Sequence, residues 1–214
     1  MIQTTKVINI LRKTRFNTIP SASLSEINTT FKVLISCILS LRTKDSTTIA
    51  ASRRLFQKAS NPYKMSKLNA RTISKLIYPV GFYRTKANNI KDICDVIITD
   101  YKGNVPDSIN KLMKLKGVGR KTACITMMYG FKKIECIPVD THVHRISNRL
   151  GWVKTKNAEQ TMDELMKSVP KKYWHDLNNL LVKHGQNICV PISPFCYECP
   201  VSKYCKKMGV GKRR

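Results

Sequence analysis

Apolar residues recur every three or four positions along most of this 214-residue chain, which places them on one side of a helix. The spacing predicts about ten helices, at residues 4–16, 31–41, 45–59, 69–77, 82–101, 105–116, from 119 onward, 141–150, 157–169 and 173–181. No segment alternates apolar and polar residues in the manner of a half-buried strand. The pattern therefore predicts an all-α fold.

A glycine-rich turn, Gly117-Val118-Gly119, joins two of the predicted helices. Glycine tolerates tight turns and leaves the backbone bare, so a bound group can approach the amides closely. The second helix is predicted to begin near Gly119, and the unpaired amides and dipole of a helix start attract a phosphate. Lys121 falls in the first turn of that helix, beside the expected anion.

Common nucleotide-binding motifs do not explain this turn. In a P-loop, four residues separate the two glycines and a lysine follows the second glycine directly. Here Arg120 follows Gly119, so Lys121 is one position late, and the segment before the turn is polar and amphipathic rather than an apolar strand. The dinucleotide fingerprint also fails, because no third glycine follows.

The charge balance indicates a polyanionic partner. Lys and Arg number 39 against 13 Asp and Glu, which gives a formal net charge of +26. Such an excess opposes compaction by self-repulsion unless a polyanion offsets it. A basic ribosome-associated protein is an alternative, whereas no basic amphipathic helix of the kind that binds membrane surfaces is evident. We therefore expect nucleic acid as the partner.

No apolar run reaches the length of a membrane span, and the first residues lack the apolar core of a secretory signal. We accordingly expect no membrane contact, a monomer, and a cytoplasmic, nucleoid-associated location if the source is a prokaryote. Eight cysteines without a secretory signal favour metal-bound or buried side chains over a disulfide scaffold. Four of them lie in apolar segments and are predicted to be small buried side chains: Cys37, Cys94, Cys124 and Cys136.

The other four cysteines, Cys189, Cys196, Cys199 and Cys205, lie within seventeen residues and are separated by six, two and five residues. A zinc ribbon contains two Cys-x₂-Cys pairs, whereas this segment contains one. Iron–sulfur clusters accept unevenly spaced thiolates, although the common ferredoxin spacing differs from this one. The spacing therefore predicts a metal centre and leaves zinc and an iron–sulfur cluster open.

Three further candidate residues lie at helix ends, where ordinary structural roles are also available. Asp140 precedes a predicted helix and has the position of an N-cap. Arg42 lies in a connection between two helices, the second of which Asp45 is predicted to cap. Phe82 opens the long helix 82–101, where a core aromatic is one of the available interpretations.

Two segments carry a resemblance to a known family. The stretch 115–123, followed by Val139-Asp140-Thr141-His142, resembles the helix-hairpin-helix and Gly-Pro-Asp region of the endonuclease III family of DNA glycosylases. The six-two-five cysteine spacing after His184-Gly185 is similar to the [4Fe–4S] motif of that family. The resemblance covers nearly the whole chain. It departs at Lys116, where the family has proline, and at Cys124, where the family often has asparagine.

The resemblance implies a helix-hairpin-helix glycosylase fold with two helical domains and a cleft between them. Residues 23–133 would form a helical barrel that contains the hairpin. Residues 1–22 and 134–214 would form the second domain, with a [4Fe–4S] cluster on the four C-terminal cysteines. The partner would be double-stranded DNA that contains damaged bases or abasic sites.

The implied activity is that of a bifunctional DNA glycosylase and AP lyase in base excision repair, which removes oxidised pyrimidines. Lys121 would attack the sugar C1′ and form a Schiff base that permits β-elimination, and Asp140 would balance the developing positive charge. The amides of Gly117, Val118 and Gly119 would hold a backbone phosphate.

Further DNA contacts follow from the same resemblance. Arg42 would fill the space left by a nucleotide flipped out of the duplex, and Phe82, within a second family signature (Gly81-Phe82-Tyr83 with Lys86-Ala87), would wedge into the opposite strand. His142 would contact phosphate. In many relatives the loop between the first two cluster cysteines is basic and touches DNA, but residues 190–195 have no charge here. Other cations would have to replace it: Lys203, Lys206, Lys207 and the tail 212–214.

Two alternatives stay open at this point. One is a mismatch glycosylase that acts on G:T or G:U pairs, although thymine-mismatch relatives usually replace the lysine. The other is a non-catalytic iron–sulfur module that only binds DNA. The damaged base itself does not follow from the sequence, because the shape of a pocket depends on tertiary structure.

Overall fold

A computed structural model of the chain describes residues 2–16 and 29–214. The described residues form helices joined by turns, with no strand among them, so the predicted all-α class is confirmed. The α-helices are α1 Ile2–Lys13, α2 Thr30–Ser40, α3 Asp45–Lys58, α4 Pro62–Ser66, α5 Ala70–Ile77, α6 Tyr83–Tyr101, α7 Ile109–Leu112, α8 Arg120–Ile125, α9 Thr141–Leu150, α10 Ala158–Ser168 and α11 Trp174–Asn187. A π-helical turn, Thr126–Gly130, extends α8.

The chain divides into two compact units. We call Pro20–Glu135 the central unit, and Met1–Ile19 together with Cys136–Arg214 the terminal unit. The predicted domain boundary between residues 22 and 23 lies outside the described residues.

Helix α2 lies at the centre of the central unit. Eight of its eleven residues are buried, because α3, α6, α8 and the π-helical turn all pack against it. Helix α6 contributes Ile90, Ile93 and Ile97, all of which are fully buried on its inner face. Each such side chain stabilises the fold by about 1.5–3 kcal/mol relative to exposure. The core therefore fixes the helices from which the loops at residues 41–44 and 79–82 emerge.

The terminal unit is built on contacts of α9 and α1 with α11, and of α10 with α9. The sequence pattern predicted that this helix ends at Leu181, but α11 continues through Gly185 to Asn187. A Cβ on Gly185 would lie 2.5 Å from His142 Nδ1 and 3.0 Å from Ile146 Cδ1. This glycine is present because α9 packs too closely to leave room for a side chain.

Several boundaries and caps differ from the prediction. Asp45 is the first residue of α3 rather than its cap, and a carboxylate there still favours the positive helix end. The helix before the glycine turn starts at Ile109 with Ser108 as its cap, so the expected start at residues 105–107 is wrong. In α1, Ile8 is fully buried while Ile10 is only half-buried. The four cysteines predicted to be buried are buried, but only Cys37 and Cys94 among them are free thiols, whereas Cys124 and Cys136 are disulfide-bonded.

Candidate active site

The glycine-rich turn lies between α7 and α8 in the central unit. Gly117 has φ +78°, and a Cβ at this position would lie 2.8 Å from Asn89 Nδ2. Val118 is buried, and its amide donates to the Leu115 carbonyl at 3.1 Å. Gly117 and Gly119 are exposed, and within the described part of the chain their amides donate to no backbone acceptor. The donors that this turn presents to an anion are thus Gly117 and Gly119, while the Val118 amide is engaged in the turn itself.

Lys121 is the second residue of α8 and is half-buried. Its helix packs against α2, whose Cys37 is 4% exposed. Burial raises the pKa of the Cys37 thiol to about 12, and the charge of Lys121 acts in the opposite direction. The amine of Lys121 therefore lies near a neutral thiol on an apolar helix, at the edge of the central core.

The structure brings Arg42 and Phe82 together at the surface of the central unit. The guanidinium carbon of Arg42 lies 5.7 Å from the centre of the Phe82 ring. Phe82 is 63% exposed, so the interpretation of this ring as a core residue is wrong. Both residues have left-handed backbones, with φ 53° for Arg42 and 56° for Phe82. Side chains other than glycine rarely adopt this conformation, and such strain concentrates at functional sites.

Lys86 holds the Arg42 loop and was missed by the sequence analysis. Its side chain is 6% exposed, and Nζ donates to the carbonyls of Leu39 and Leu41 and to the Thr43 hydroxyl. The same hydroxyl accepts a hydrogen bond from the Gly81 amide at 3.1 Å. Burial lowers the pKa of Lys86 to about 8. One buried ammonium thus connects the start of α6, next to Phe82, with the loop that carries Arg42.

Replacing Lys86 by methionine should loosen the Arg42 loop. The substitution preserves the apolar stem, removes the Lys86 donor from the buried Leu39 carbonyl and removes one of the two side-chain donors of the Leu41 carbonyl, so we expect a loss of about 2 kcal/mol in the free energy of unfolding. Trypsin cleavage after Arg42 should become about tenfold faster, because loops open more readily when local hydrogen bonds are removed. Urea unfolding and timed proteolysis measure both effects.

Lys91→Met is the matched control. Lys91 lies on the same helix and also donates to a carbonyl, that of Ser66 at 3.0 Å, away from the Arg42 loop. It should leave cleavage after Arg42 at the wild-type rate. Equal acceleration in both variants would contradict a specific role for Lys86.

Asp140 and His142 lie at the start of α9 in the terminal unit. Asp140 is the N-cap, and its Oδ1 accepts from the Val143 amide at 2.9 Å. The Nδ1 of His142 lies 3.1 Å from the Arg145 guanidinium. Because a guanidinium only donates, Nδ1 accepts and Nε2 carries the proton. Asp140 therefore fills an ordinary structural role, which also fixes the direction of its carboxylate.

The four C-terminal cysteines line one cavity of the terminal unit, together with apolar side chains such as Ile146, Leu150 and Phe195. Two arginines on α9 hold the first cysteine segment. Arg145 donates to the Cys189 carbonyl at 2.8 Å, and Arg149 donates to Cys189 Sγ at 3.4 Å. These contacts place the start of the cysteine loop against α9.

The cavity disfavours the ionised form of its cysteines unless the thiolates bind a cation. Burial raises the pKa of Cys199 to about 11 and also raises the pKa of Cys205, and the negative charges of the neighbouring cysteines act in the same direction. Among residues 2–16 and 29–214, no three His, Cys, Asp or Glu side chains converge closely enough to hold one metal ion. Four cysteines around a shared cavity supply the thiolate ligands that an iron–sulfur cluster or a zinc ion requires.

Comparison with known proteins assigns the family. Residues 35–171 match the family model described as HhH-GPD superfamily base excision DNA repair protein. Endonuclease III of Thermotoga maritima is 45% identical over 187 residues, which is 86% of this chain and 87% of that protein. The chain belongs to the endonuclease III family.

Solved structures of similar proteins agree with this assignment. A trapped endonuclease III–DNA covalent intermediate, an estranged-adenine complex, is 30% identical with a TM-score of 0.84, covering 96% of this chain and 95% of that one. A thermostable thymine-DNA glycosylase is 25% identical with a TM-score of 0.83, covering 96% and 94%. The predicted family, helix-hairpin-helix fold and enzyme class are thus confirmed: the chain is a DNA glycosylase and AP lyase of base excision repair, and it binds DNA.

The structure explains one departure from the family pattern. At position 116, where the family has proline, the Nζ of Lys116 pairs with Asp92 Oδ2 on α6 at 2.6 Å. Both side chains are largely exposed, so the pair contributes little to stability, but it ties the glycine turn to α6.

None of the described helices is long and apolar enough to cross a membrane.

Proposed function

We propose that this endonuclease III family member removes oxidised pyrimidines from duplex DNA and then cleaves the strand at the abasic site. The observation that supports this most is Lys121, which lies in the first turn of α8 directly after the exposed glycine turn. A lysine amine is the nucleophile that a lyase reaction requires. A mismatch glycosylase for G:T or G:U pairs is the second candidate, favoured by the likeness to the thymine-DNA glycosylase structure.

The reaction begins with extrusion of the damaged nucleotide, because its C1′ is unreachable within the base stack. The neutral amine of Lys121 attacks C1′ and forms a C–N bond, while the glycosidic bond breaks and its electron pair leaves with the base. The carboxylate of Asp140 stabilises the positive charge that develops on the sugar. Ring opening gives an imine, loss of a C2′ proton expels the 3′ phosphate, and water releases Lys121.

Four further contacts would hold the distorted DNA. Exposed Phe82 would occupy the opposite strand as a wedge, and Arg42, stacked beside it, would fill the space of the flipped nucleotide. The amides of Gly117 and Gly119 would donate to a backbone phosphate. His142, with its proton on Nε2, would donate to another.

The cysteine cavity would hold a [4Fe–4S] cluster through Cys189, Cys196, Cys199 and Cys205. When bound, the cluster supplies positive charge that keeps the four thiols deprotonated and a rigid connection between the turns that carry them. Arg149 would donate to the Cys189 thiolate, a contact that stabilises the charged ligand.

The cluster proposal predicts a visible signature. Anaerobically purified protein should contain about four irons per chain and show broad absorbance in the visible range. Cys199→Ser should lose most of this iron and absorbance, because one of four thiolate ligands is removed. Cys94→Ser, which changes a buried free thiol of the central unit, should retain both. Stoichiometric zinc with no visible absorbance would contradict the proposal.

The substrate proposal is tested by single-turnover base release from matched duplexes that contain an oxidised pyrimidine, uracil opposite guanine, thymine opposite guanine, or an abasic site. We expect the oxidised pyrimidine to be released at least about 100-fold faster than the mismatched bases, since a site built to bind polar groups discriminates strongly. Faster release of thymine or uracil would favour the mismatch alternative. Cleavage of the abasic duplex alone would limit the activity to the lyase step.

A further inference from the structure

The C-terminal arginines are folded back onto the uncharged part of the cysteine loop. The amide of Arg214 donates to the Pro194 carbonyl at 2.9 Å, and its Nε donates to the Ser193 carbonyl at 3.1 Å. The Tyr197 amide in turn donates to the Arg214 carbonyl at 3.1 Å. Three hydrogen bonds therefore fix the position of a residue that the sequence placed in a basic tail.

Aromatic rings of the loop orient both guanidinium groups. Arg214 stacks on Phe195, with 4.1 Å between the guanidinium carbon and the ring centre, and Arg213 lies 6.0 Å above Tyr197. A guanidinium that places its face on a ring retains the N–H groups along its edge for an anion. In Arg214 only the Nε–H is used by the loop, so the terminal N–H groups are left to bind a ligand.

The surroundings of these arginines favour an anionic polymer. Residues 189–214 contain six cations and one acid, Glu198. Neither Arg213 nor Arg214 pairs with a carboxylate in the described part of the chain. Both arginines are exposed, and beside them Tyr197 is 79% exposed. Like charges held this close repel one another until an anion offsets them.

We propose that Arg213 and Arg214, docked on residues 193–197, form a binding site for DNA backbone phosphate and supply the positive charge that residues 190–195 lack. The inference rests on the proposed function for its ligand. It explains how a loop without charge can still face a polyanion, since residues 213 and 214, which lie outside the loop, supply the cations. The planar fork of arginine suits this role, because it can stack, bond to the loop and bind phosphate together.

The test measures binding of a fluorescein-labelled duplex with a central abasic-site analogue across a range of salt concentrations. In the double variant R213Q/R214Q the slope of log affinity against log salt should fall by about 2, one for each phosphate that is no longer neutralised by an arginine. The control pair K154Q/K156Q removes the same charge from exposed positions of the same unit and should change the slope by less than about 1. Inorganic phosphate, added at equal ionic strength, should displace the labelled duplex only weakly, because the proposed site binds the phosphates of a polymer.

Arg214→Lys separates a docked arginine from a merely basic tail. It preserves the net charge but cannot stack and bond to Ser193 in the same way, so the slope should fall by about 1. Wild-type binding by this variant, or an equal loss in the control pair, would overturn the proposal. Arg214 stacks on Phe195, which lines the cysteine cavity, so the visible absorbance of the cluster is checked in the Arg214 variants. If that absorbance is lost, Arg213→Gln replaces them, because its partner Tyr197 does not line the cavity, and this variant should also lower the slope.

Failure of the proposed function is distinguishable from failure of this site. Borohydride trapping of the wild-type protein at saturating concentration reports the chemistry separately from the salt dependence of binding. Absence of trapping in the wild type would refute the lyase chemistry while leaving the salt dependence of binding to decide the role of the two arginines.

Discussion

Lys121→Ala should abolish covalent trapping and reduce strand cleavage at an abasic site by about 10⁴-fold, because the variant has no amine to form the imine. Sodium borohydride reduces that imine to a stable protein–DNA bond, so denaturing electrophoresis of the mixture measures its formation. The duplex carries one abasic site, and the enzyme is in excess, so that a single chemical event is observed.

Two further substitutions isolate the nucleophile from its charge. Lys121→Arg preserves the positive charge and should bind DNA as the wild type does, yet should not trap. Lys114→Ala removes a neighbouring exposed cation before the glycine turn and should trap normally. If Lys121→Ala still formed the covalent adduct, another amine would be the nucleophile.

Asp140→Asn should reduce base release by about 10²–10³-fold while leaving the free energy of unfolding within about 0.5 kcal/mol of the wild type. Asparagine accepts the hydrogen bond from the Val143 amide as well as aspartate does, so the cap of α9 is preserved and only the negative charge is lost. Single-turnover kinetics and urea unfolding on the same preparation measure the two effects separately.

Asp140→Ala provides the structural comparison. It removes both the charge and the cap, and should lose about 1 kcal/mol of stability in addition to the activity. Asp140→Ser restores an acceptor without charge and should recover the stability but not the base release. A serine variant with near-normal base release would show that Asp140 acts only as a cap.

The sequence pattern predicted the long helices well because the apolar stripe of each helix faces the core of its own unit. It placed α2, α3, α5, α6, α9 and α10 within a few residues of their observed bounds. The errors lie where local geometry depends on distant neighbours. The predicted end of α11 at Leu181 is too early, because Gly185 lies within the helix, where it admits the side chains of α9. The short helix α4 was missed, because five residues show no periodicity.

The sequence identified the candidate-site residues that lie within a recognisable motif. It assigned no role to Lys86, whose buried side chain holds the Arg42 loop. Lys86 had a detectable signal, since it shares the apolar face of α6 with Ile90 and Ile93, and a charged residue at such a position needs partners inside the protein. The stacking of Arg42 on Phe82 had no such signal, because forty residues separate the two and both are exposed.

That stacking has a consequence for redesign. Arg42 would contact the base that stood opposite the extruded nucleotide, and the ring of Phe82 orients its guanidinium. Changing either residue alone would alter the other, so preference for the opposite base should behave as a property of the pair. Libraries that vary both positions at once should yield new pairing preferences that no single exchange provides.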